Sequence, residues 1–194
     1  MGKNKKQLIP RFLPLLIGNY IGIFGWSLFA PLFAIVVQDK GGDAASVGLI
    51  WGFYTLVTGV SMIIFGKLSD KTHRLRTTMV LGNIFLIIAS FSFLFVNNLV
   101  HIAVAQTIFA IGFGLLNPSM RALYGKLEYR GKEATEWAYM DGGNMLVMSA
   151  ASVIGGFIVK GYGLGPLFIT MTIMQLIGTM VLLRAVRPPA KKQG

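Results

Sequence analysis

Residues 47–96 read VGLIWGFYTLVTGVSMIIFG, KLSDKTHRLR and TTMVLGNIFLIIASFSFLFV in succession. Two apolar segments of twenty residues therefore enclose a short stretch that is rich in lysine and arginine. A helix needs about 20 apolar residues to cross a hydrocarbon core about 30 Å thick, because each residue rises about 1.5 Å. The stretch predicts two membrane-spanning helices joined by a basic loop from Lys67 to Arg76.

The same pattern continues in both directions along the chain. The first apolar segment, after a basic N-terminus, is too long for a cleavable signal peptide, so we expect it to remain a membrane helix. Polar, glycine-rich or charged stretches separate the segments. The sequence predicts an all-α membrane protein, a single six-helix transmembrane domain over residues 1–194, with spans at 12–37, 47–66, 77–96, 99–122, 137–159 and 166–183.

Composition and charge place this domain in a lipid bilayer. Hydrophobic residues make up 54% of the chain and charged residues 13%, against about 25% charged in soluble domains. The N-terminus, the second-to-third loop, the fourth-to-fifth connector and the C-terminal region hold sixteen lysines and arginines, whereas the other three turns hold Lys40 and Lys160. The positive-inside rule then predicts that both termini are cytoplasmic, in a cell or inner membrane. It also explains the net charge of +11 without nucleic acid.

Enzymatic functions find little support in the sequence. The absence of cysteine excludes disulfides, thiolate-bound metals and a cysteine nucleophile. The two histidines, His73 and His101, lie near opposite membrane faces, and we find no nucleophile–base pair or metal-ligand cluster. We expect no catalytic residue, no metal site and no cofactor.

The basic loop carries the clearest motif. Gly66, Asp70, Lys71 and Arg74 match the pattern G-x-x-x-D-[RK]-x-G-[RK]-[RK], while His73 replaces its second glycine. The motif, its place between the second and third helices, and the glycine-rich segments 110–118 and 153–163 resemble the major facilitator superfamily. The resemblance implies half of a twelve-helix transporter fold, built as a 3+3 inverted repeat.

The resemblance also implies a cytoplasmic gate. In the family, the motif aspartate meets the positive end of a helix from the other half, and the basic residues pair with carboxylates nearby. Glu128 lies in the fourth-to-fifth connector and is one candidate partner. The other gate-partner candidates are Glu133, Glu136 and Asp141. Asp141 is the one acid inside a predicted span, so gating and proton binding both remain open for it.

Polar side chains inside a span are costly and tend to face a wet cavity or the protein interior. In the family, the first, second, fourth and fifth helices line the transport path. Packing between helices is the competing interpretation for each polar residue. The lack of a charged cluster near the midplane predicts a small-molecule substrate that is polar and neutral or weakly charged. The substrate-cavity candidates are Asn19, Tyr20, Trp26, Tyr54, Gln106, Phe113, Asn117 and Asn144.

Six helices cannot by themselves form a cavity between two halves. We therefore expect a parallel homodimer that rebuilds the twelve-helix architecture around a two-fold axis along the membrane normal. Two alternatives keep the transporter chemistry: a separate six-helix partner, or a fragment of a longer chain. A third alternative is a membrane scaffold or accessory subunit that does not transport.

Overall fold

The computed structural model describes residues 9–127 and 131–185, and all regular structure in these ranges is helical. Within these ranges, six helical stretches are long and apolar enough to cross a membrane, which confirms the predicted all-α, six-span fold class. The first stretch combines α1 (Ile9–Phe29), a 3-10 turn (Ala30–Leu32) and α2 (Phe33–Asp39). The others are α3 (Ala44–Thr72), α4 (Leu75–Ser92), α5 (Leu99–Gly125), α6 (Glu133–Tyr162) and α7 (Leu164–Ala185).

The helices extend beyond the apolar segments that predict them. Hydropathy marks the part of a helix in lipid, whereas the helix itself continues until the backbone finds a cap. Helix α3 continues to Thr72 and ends at His73, which adopts the left-handed conformation with φ 52°. The predicted loop from Lys67 to Arg76 is therefore wrong, since only His73 and Arg74 connect α3 to α4. The family pattern has glycine at the His73 position, which suits this conformation.

Polar caps define two helix starts on the side opposite the basic loop. The carboxylate of Asp43 accepts hydrogen bonds from the amide and hydroxyl of Ser46 at 2.8 and 2.7 Å. Asn98 accepts a hydrogen bond from the His101 amide at 2.9 Å. Each cap satisfies a backbone N–H that lacks a partner within its helix.

The helix packing repeats itself after three spans. Helix α1 packs most extensively against α7, and α4 packs most extensively against α5. Helix α3 packs against α5, α6 packs against α1, and α4 meets α7 between them. Exchanging spans 1, 2 and 3 for spans 4, 5 and 6 leaves this pattern unchanged. Because three is an odd number of spans, the second unit crosses the membrane in the opposite direction, which makes the repeat inverted.

Glycines allow the two most closely packed helix pairs to approach. A Cβ added to Gly178 in α7 would lie 2.9 Å from the backbone nitrogen of Gly22 in α1. A Cβ added to Gly82 in α4 would lie 2.8 Å from the carbonyl oxygen of Gly112 in α5. In both pairs only the absence of a side chain permits this distance, as in other membrane helix pairs.

One end of the bundle is filled by aromatic side chains. The ring centroids of Phe29 and Phe93 are 4.7 Å apart, and those of Phe93 and Phe168 are 5.4 Å apart. All three side chains are buried. The rings therefore close the bundle at the end opposite the link between α3 and α4.

Helices α3 and α6 are much less buried than the other spans. The buried share of the apolar window is 17% in α3 and 11% in α6, against 39–44% in the other four spans. Their exposed side chains are large and apolar, including Leu56 and Ile63 in α3 and Leu146 and Phe157 in α6. These two helices form the outer faces of the six-helix unit.

Candidate functional site

A cavity of about 60 Å³ lies within the bundle, between side chains of both three-span units. One water needs roughly 10–15 Å³ of such space, so several waters or part of a compact solute fit. Along α5 the lining runs from Phe109 to Arg121, roughly 18 Å at about 1.5 Å per residue. Phe109 is buried, whereas the side chain of Arg121 is 47% exposed, so the cavity opens toward Arg121. Its polar lining residues are Asn19, Asn83, Asn117, Arg121, Asn144 and Gln175.

Two of the predicted cavity residues bind each other across the bundle. The Asn19 amide nitrogen in α1 donates to the Asn144 amide oxygen in α6 at 2.7 Å. The bond leaves the Asn19 oxygen and the Asn144 nitrogen available on the cavity wall. These two residues join the two repeat units and present one acceptor and one donor to the cavity.

Aromatic rings form the inner end of the cavity. Trp26 in α1 stacks on Phe109 in α5 with centroids 3.9 Å apart. Phe113, one turn further along α5, also lines the cavity. The inner end is therefore apolar, and the polar groups lie closer to the mouth.

A half-exposed ion pair stands at the mouth. Arg121 Nη2 lies 3.2 Å from Asp141 Oδ1, and the guanidinium carbon lies 5.5 Å from the ring centroid of Trp137. Asp141, which we considered as a gate partner, therefore pairs here with an arginine of the same unit. The carboxylate of Asp141 thus offsets the positive charge of Arg121.

Three predicted cavity residues do not line the cavity. Tyr20 donates its hydroxyl to the Tyr139 carbonyl oxygen at 2.5 Å. Tyr54 is buried beside Trp26, with ring centroids 5.8 Å apart. Gln106 is buried, and neither of its amide atoms has a hydrogen-bond partner within the described residues. The Tyr20 hydroxyl therefore joins α1 to α6, and the Tyr54 ring packs among other aromatic rings, whereas the Gln106 amide has no protein partner in the described ranges.

Two amides that line the cavity were not among the predicted residues. Asn83 lies in α4 and Gln175 lies in α7, the third and sixth spans. The signal that could have found them was the same one that found Asn19, an amide in the middle of an apolar segment. The resemblance directed the prediction to the other four spans instead.

The predicted gate motif lies at the end of α3 nearest the cavity mouth. Asp70, Lys71 and Arg74 are exposed, and no ion pair involves them within the described residues. Gly66 faces α5, where a Cβ on Gly66 would contact Pro118 at 3.6 Å. The motif thus presents its charged side chains away from its own bundle.

The candidate gate acids stand at the start of α6. Glu133 is exposed and accepts hydrogen bonds from the Gly131 amide at 2.8 and 2.9 Å. Glu136 receives the Tyr124 hydroxyl on its backbone oxygen at 2.6 Å. Glu128 lies outside the described residues. The structure does not bring Glu133 or Asp141 to the motif within one six-helix unit.

A buried hydroxyl cluster ties the motif segment to the cavity helix. Ser69 in α3 donates to Thr78 in α4 at 3.1 Å, and its oxygen lies 3.3 Å from that of Ser119 in α5. All three side chains are buried. Ser69 precedes Asp70, and Ser119 lies between the cavity residues Asn117 and Arg121.

Comparison with known proteins agrees with this architecture. The sequence profile of the Major Facilitator Superfamily matches residues 15–194. An uncharacterized MFS-type transporter from Methanocaldococcus jannaschii is 22% identical over 80 residues, which are 41% of this chain and 20% of that protein. A crystal structure of a mutant peptide transporter POT in complex with sulfate matches with a TM-score of 0.67 and 16% identity. That match covers 89% of this chain and 37% of the other, and at this identity it shows the fold alone.

Proposed function

This chain belongs to the Major Facilitator Superfamily, and we propose that it carries a small polar solute across a membrane by alternating access. The observation that carries the proposal is the amide-lined cavity between the two repeat units, with Trp26 and Phe109 at its inner end. Asn19, Asn117 and Asn144 are the binding residues that we assign from the predicted set. Family and fold point to a transporter rather than to an enzyme.

We further propose that two parallel copies form the complete transporter. The exposed faces of α3 and α6 support this assembly, because such large apolar faces are covered by lipid or by another helical unit. Charge supports this assembly too. The basic residues Lys71 and Arg74 lie at or just after the end of α3, and the acidic residue Glu133 lies at the start of α6, so the two faces carry opposite charges there. In a two-fold arrangement along the membrane normal, the α3 motif of one copy meets the start of α6 in its partner.

We infer the orientation in the membrane from the charge distribution. The link between α3 and α4 and the connector between α5 and α6 lie on the basic side, which the positive-inside rule assigns to the cytoplasm. The cavity mouth at Arg121 then opens to the cytoplasm, and the phenylalanine cluster closes the opposite end.

Cysteine cross-linking tests the assembly, because the chain contains no cysteine that could give a background. Asp70→Cys combined with Trp137→Cys should form a disulfide-linked dimer in native membranes. Ile177→Cys is the matched control, since Ile177 lies on an exposed part of α7 away from the proposed contact. A monomeric product with Asp70→Cys and Trp137→Cys, together with single copies in nanodisc mass measurements, would contradict the homodimer. The missing half is then a different six-helix unit, in a separate chain or in a longer one.

Transport itself is tested in proteoliposomes by stopped-flow light scattering after an osmotic step. The probes are erythritol, glycine and gluconate, which represent neutral, zwitterionic and anionic solutes. We expect faster volume recovery with at least one probe, and slower recovery for Asn144→Leu. Liposomes that behave like empty vesicles with every probe, although the protein is folded and correctly assembled, would support the scaffold alternative.

A further inference from the structure

Gln175 is a buried amide that faces the cavity from the sixth span. Its side chain is 3% exposed and lines the cavity. Its amide has no hydrogen-bond partner among the side chains and backbone that the structure describes. Gly22 in α1 lies beside this amide, and a Cβ added there would make ordinary contact at 3.9 Å with both Nε2 and Oε1. A buried amide in this position is available to bind a solute.

The neighbouring amide, Asn83, is already occupied. Its nitrogen donates to the Met79 carbonyl oxygen at 2.9 Å, and its oxygen accepts from the Thr179 hydroxyl at 3.1 Å. The Thr179 hydroxyl shares its single hydrogen with the backbone oxygen of Gln175, which lies at 2.7 Å. Asn83 and Thr179 therefore fix α7 against α4 and position Gln175, whose own amide remains unused.

The available groups on the cavity wall are balanced between donors and acceptors. Asn117 and Gln175 each offer an amide oxygen and an amide nitrogen, the Asn19–Asn144 pair offers one of each, and no other partner occupies them within the described ranges. Arg121 is the one charged residue in the described lining, and Asp141 balances it at 3.2 Å. A solute matches this cavity wall if its groups both donate and accept hydrogen bonds and carry no net charge.

We propose that Gln175 is a substrate-binding residue and that the substrate is a compact neutral solute carrying several hydroxyl groups. The proposal rests on the proposed function of this cavity. Hydroxyl groups satisfy both atoms of Gln175 and of Asn117, and the carbon chain packs against Phe113. Among the described lining residues, a carboxylate on the substrate has no unbalanced cation to meet, and an ammonium group has no unbalanced acid.

The test measures binding by tryptophan fluorescence in nanodiscs, with erythritol as the probe. Trp26 lines the cavity, so a fluorescence change that is caused by binding in the cavity should be absent in the Trp26→Phe variant. Erythronate and butane-1,4-diol are the comparison solutes, since one adds a charge and the other removes two hydroxyls. We expect erythritol to bind best in the unmodified protein.

Gln175→Leu should weaken erythritol binding by roughly 5- to 150-fold, the range for losing the two neutral hydrogen bonds of its amide oxygen and nitrogen. Gln106→Leu is the matched control, because Gln106 is equally buried and without a partner in the described chain but lies outside the cavity lining. Its affinity should be unchanged. Both variants must show the elution volume and helicity of the parent protein.

Three results would overturn the inference. Parent-like binding by Gln175→Leu removes this residue from the site. Tighter binding of erythronate than of erythritol, or no saturable response to erythritol, removes the neutral polyhydroxyl class. Binding is measured without a gradient, so failure of these tests is separate from failure of transport. If the proteoliposomes transport another probe but the protein does not bind erythritol, the proposed function stands and this substrate class is rejected.

Discussion

Gln106→Leu should make the protein more stable, which is unusual for a change at a buried site. Gln106 in α5 is 1% exposed, and neither its amide nitrogen nor its amide oxygen has a partner in the part of the chain that the structure describes. Its neighbours on the same helix face, Ile102, Ala105 and Phe109, are apolar and buried. Leucine has a similar size and needs no hydrogen bond there.

The expected gain follows from the two unpaired atoms. A buried polar group without a partner costs about 1–3 kcal/mol, and leucine also loses less side-chain entropy than glutamine. We expect the free energy of unfolding to rise by about 1–3 kcal/mol. Asn83→Leu should have the opposite sign, because Asn83 is equally buried but makes two hydrogen bonds, at 2.9 and 3.1 Å. Its loss should be about 1–3 kcal/mol, at about 0.5–1.5 kcal/mol for each bond.

Unfolding of the purified protein by sodium dodecyl sulfate in mixed micelles, followed by circular dichroism, measures both changes. The contrast between the two variants is the test, since any general effect of leucine on micelle interactions applies to both. A decrease of 1 kcal/mol or more for Gln106→Leu would refute the reasoning, because it would mean that the Gln106 amide is hydrogen-bonded in the native protein.

Three further changes test the packing, the backbone and the charge pair. Gly178→Leu should lower the free energy of unfolding by about 1–3 kcal/mol or more, because the new side chain overpacks the contact between α1 and α7. Gly156→Ala is the control and should leave the free energy of unfolding unchanged, because no atom lies within 4 Å of the added Cβ. His73→Gly should raise the thermal midpoint, because a left-handed non-glycine residue costs about 1–2 kcal/mol; equal midpoints for His73→Gly and His73→Ala would contradict this. Asp141→Asn should change the free energy of unfolding by at most about 1 kcal/mol, as for other exposed ion pairs. A larger loss of stability, which is recovered when Arg121→Leu is added to Asp141→Asn, would show that the ion pair is desolvated.

The fold could be predicted from the sequence because its two strongest determinants are visible in one dimension. Apolar length gives the number of spans, and the positions of lysine and arginine predict their orientation. The end of α3 was missed because Lys67 to Thr72 is polar but still helical: hydropathy reports the solvent around a helix, whereas the left-handed His73 ends it. Backbone conformation at a single residue has no signal in hydropathy.

The cavity was only partly predictable for a related reason. An amide in an apolar span signals a protein-facing position, and this signal found Asn19, Asn117 and Asn144. It does not say which neighbour the side chain faces, so it also selected Gln106, which lies outside the cavity lining. Gln175 gives the same signal, but its position at the cavity depends on the close packing of α7 against α1, where Gly178 lies against the backbone of Gly18 and Gly22. That information exists in the pairing of α1 with α7 and not in either segment alone.

The hydroxyl cluster constrains how the proposed transport cycle can work. Ser69, Thr78 and Ser119 join α3, α4 and α5 at the level between the motif and the cavity mouth, with oxygen distances of 3.1 and 3.3 Å. Breaking these contacts would leave hydroxyl groups unpaired in a buried site, which is costly. The motif segment and the cavity wall on α5 should therefore move together. Alternating access by this unit then requires motion against a second six-helix unit, and the exposed faces of α3 and α6 are where that motion would take place.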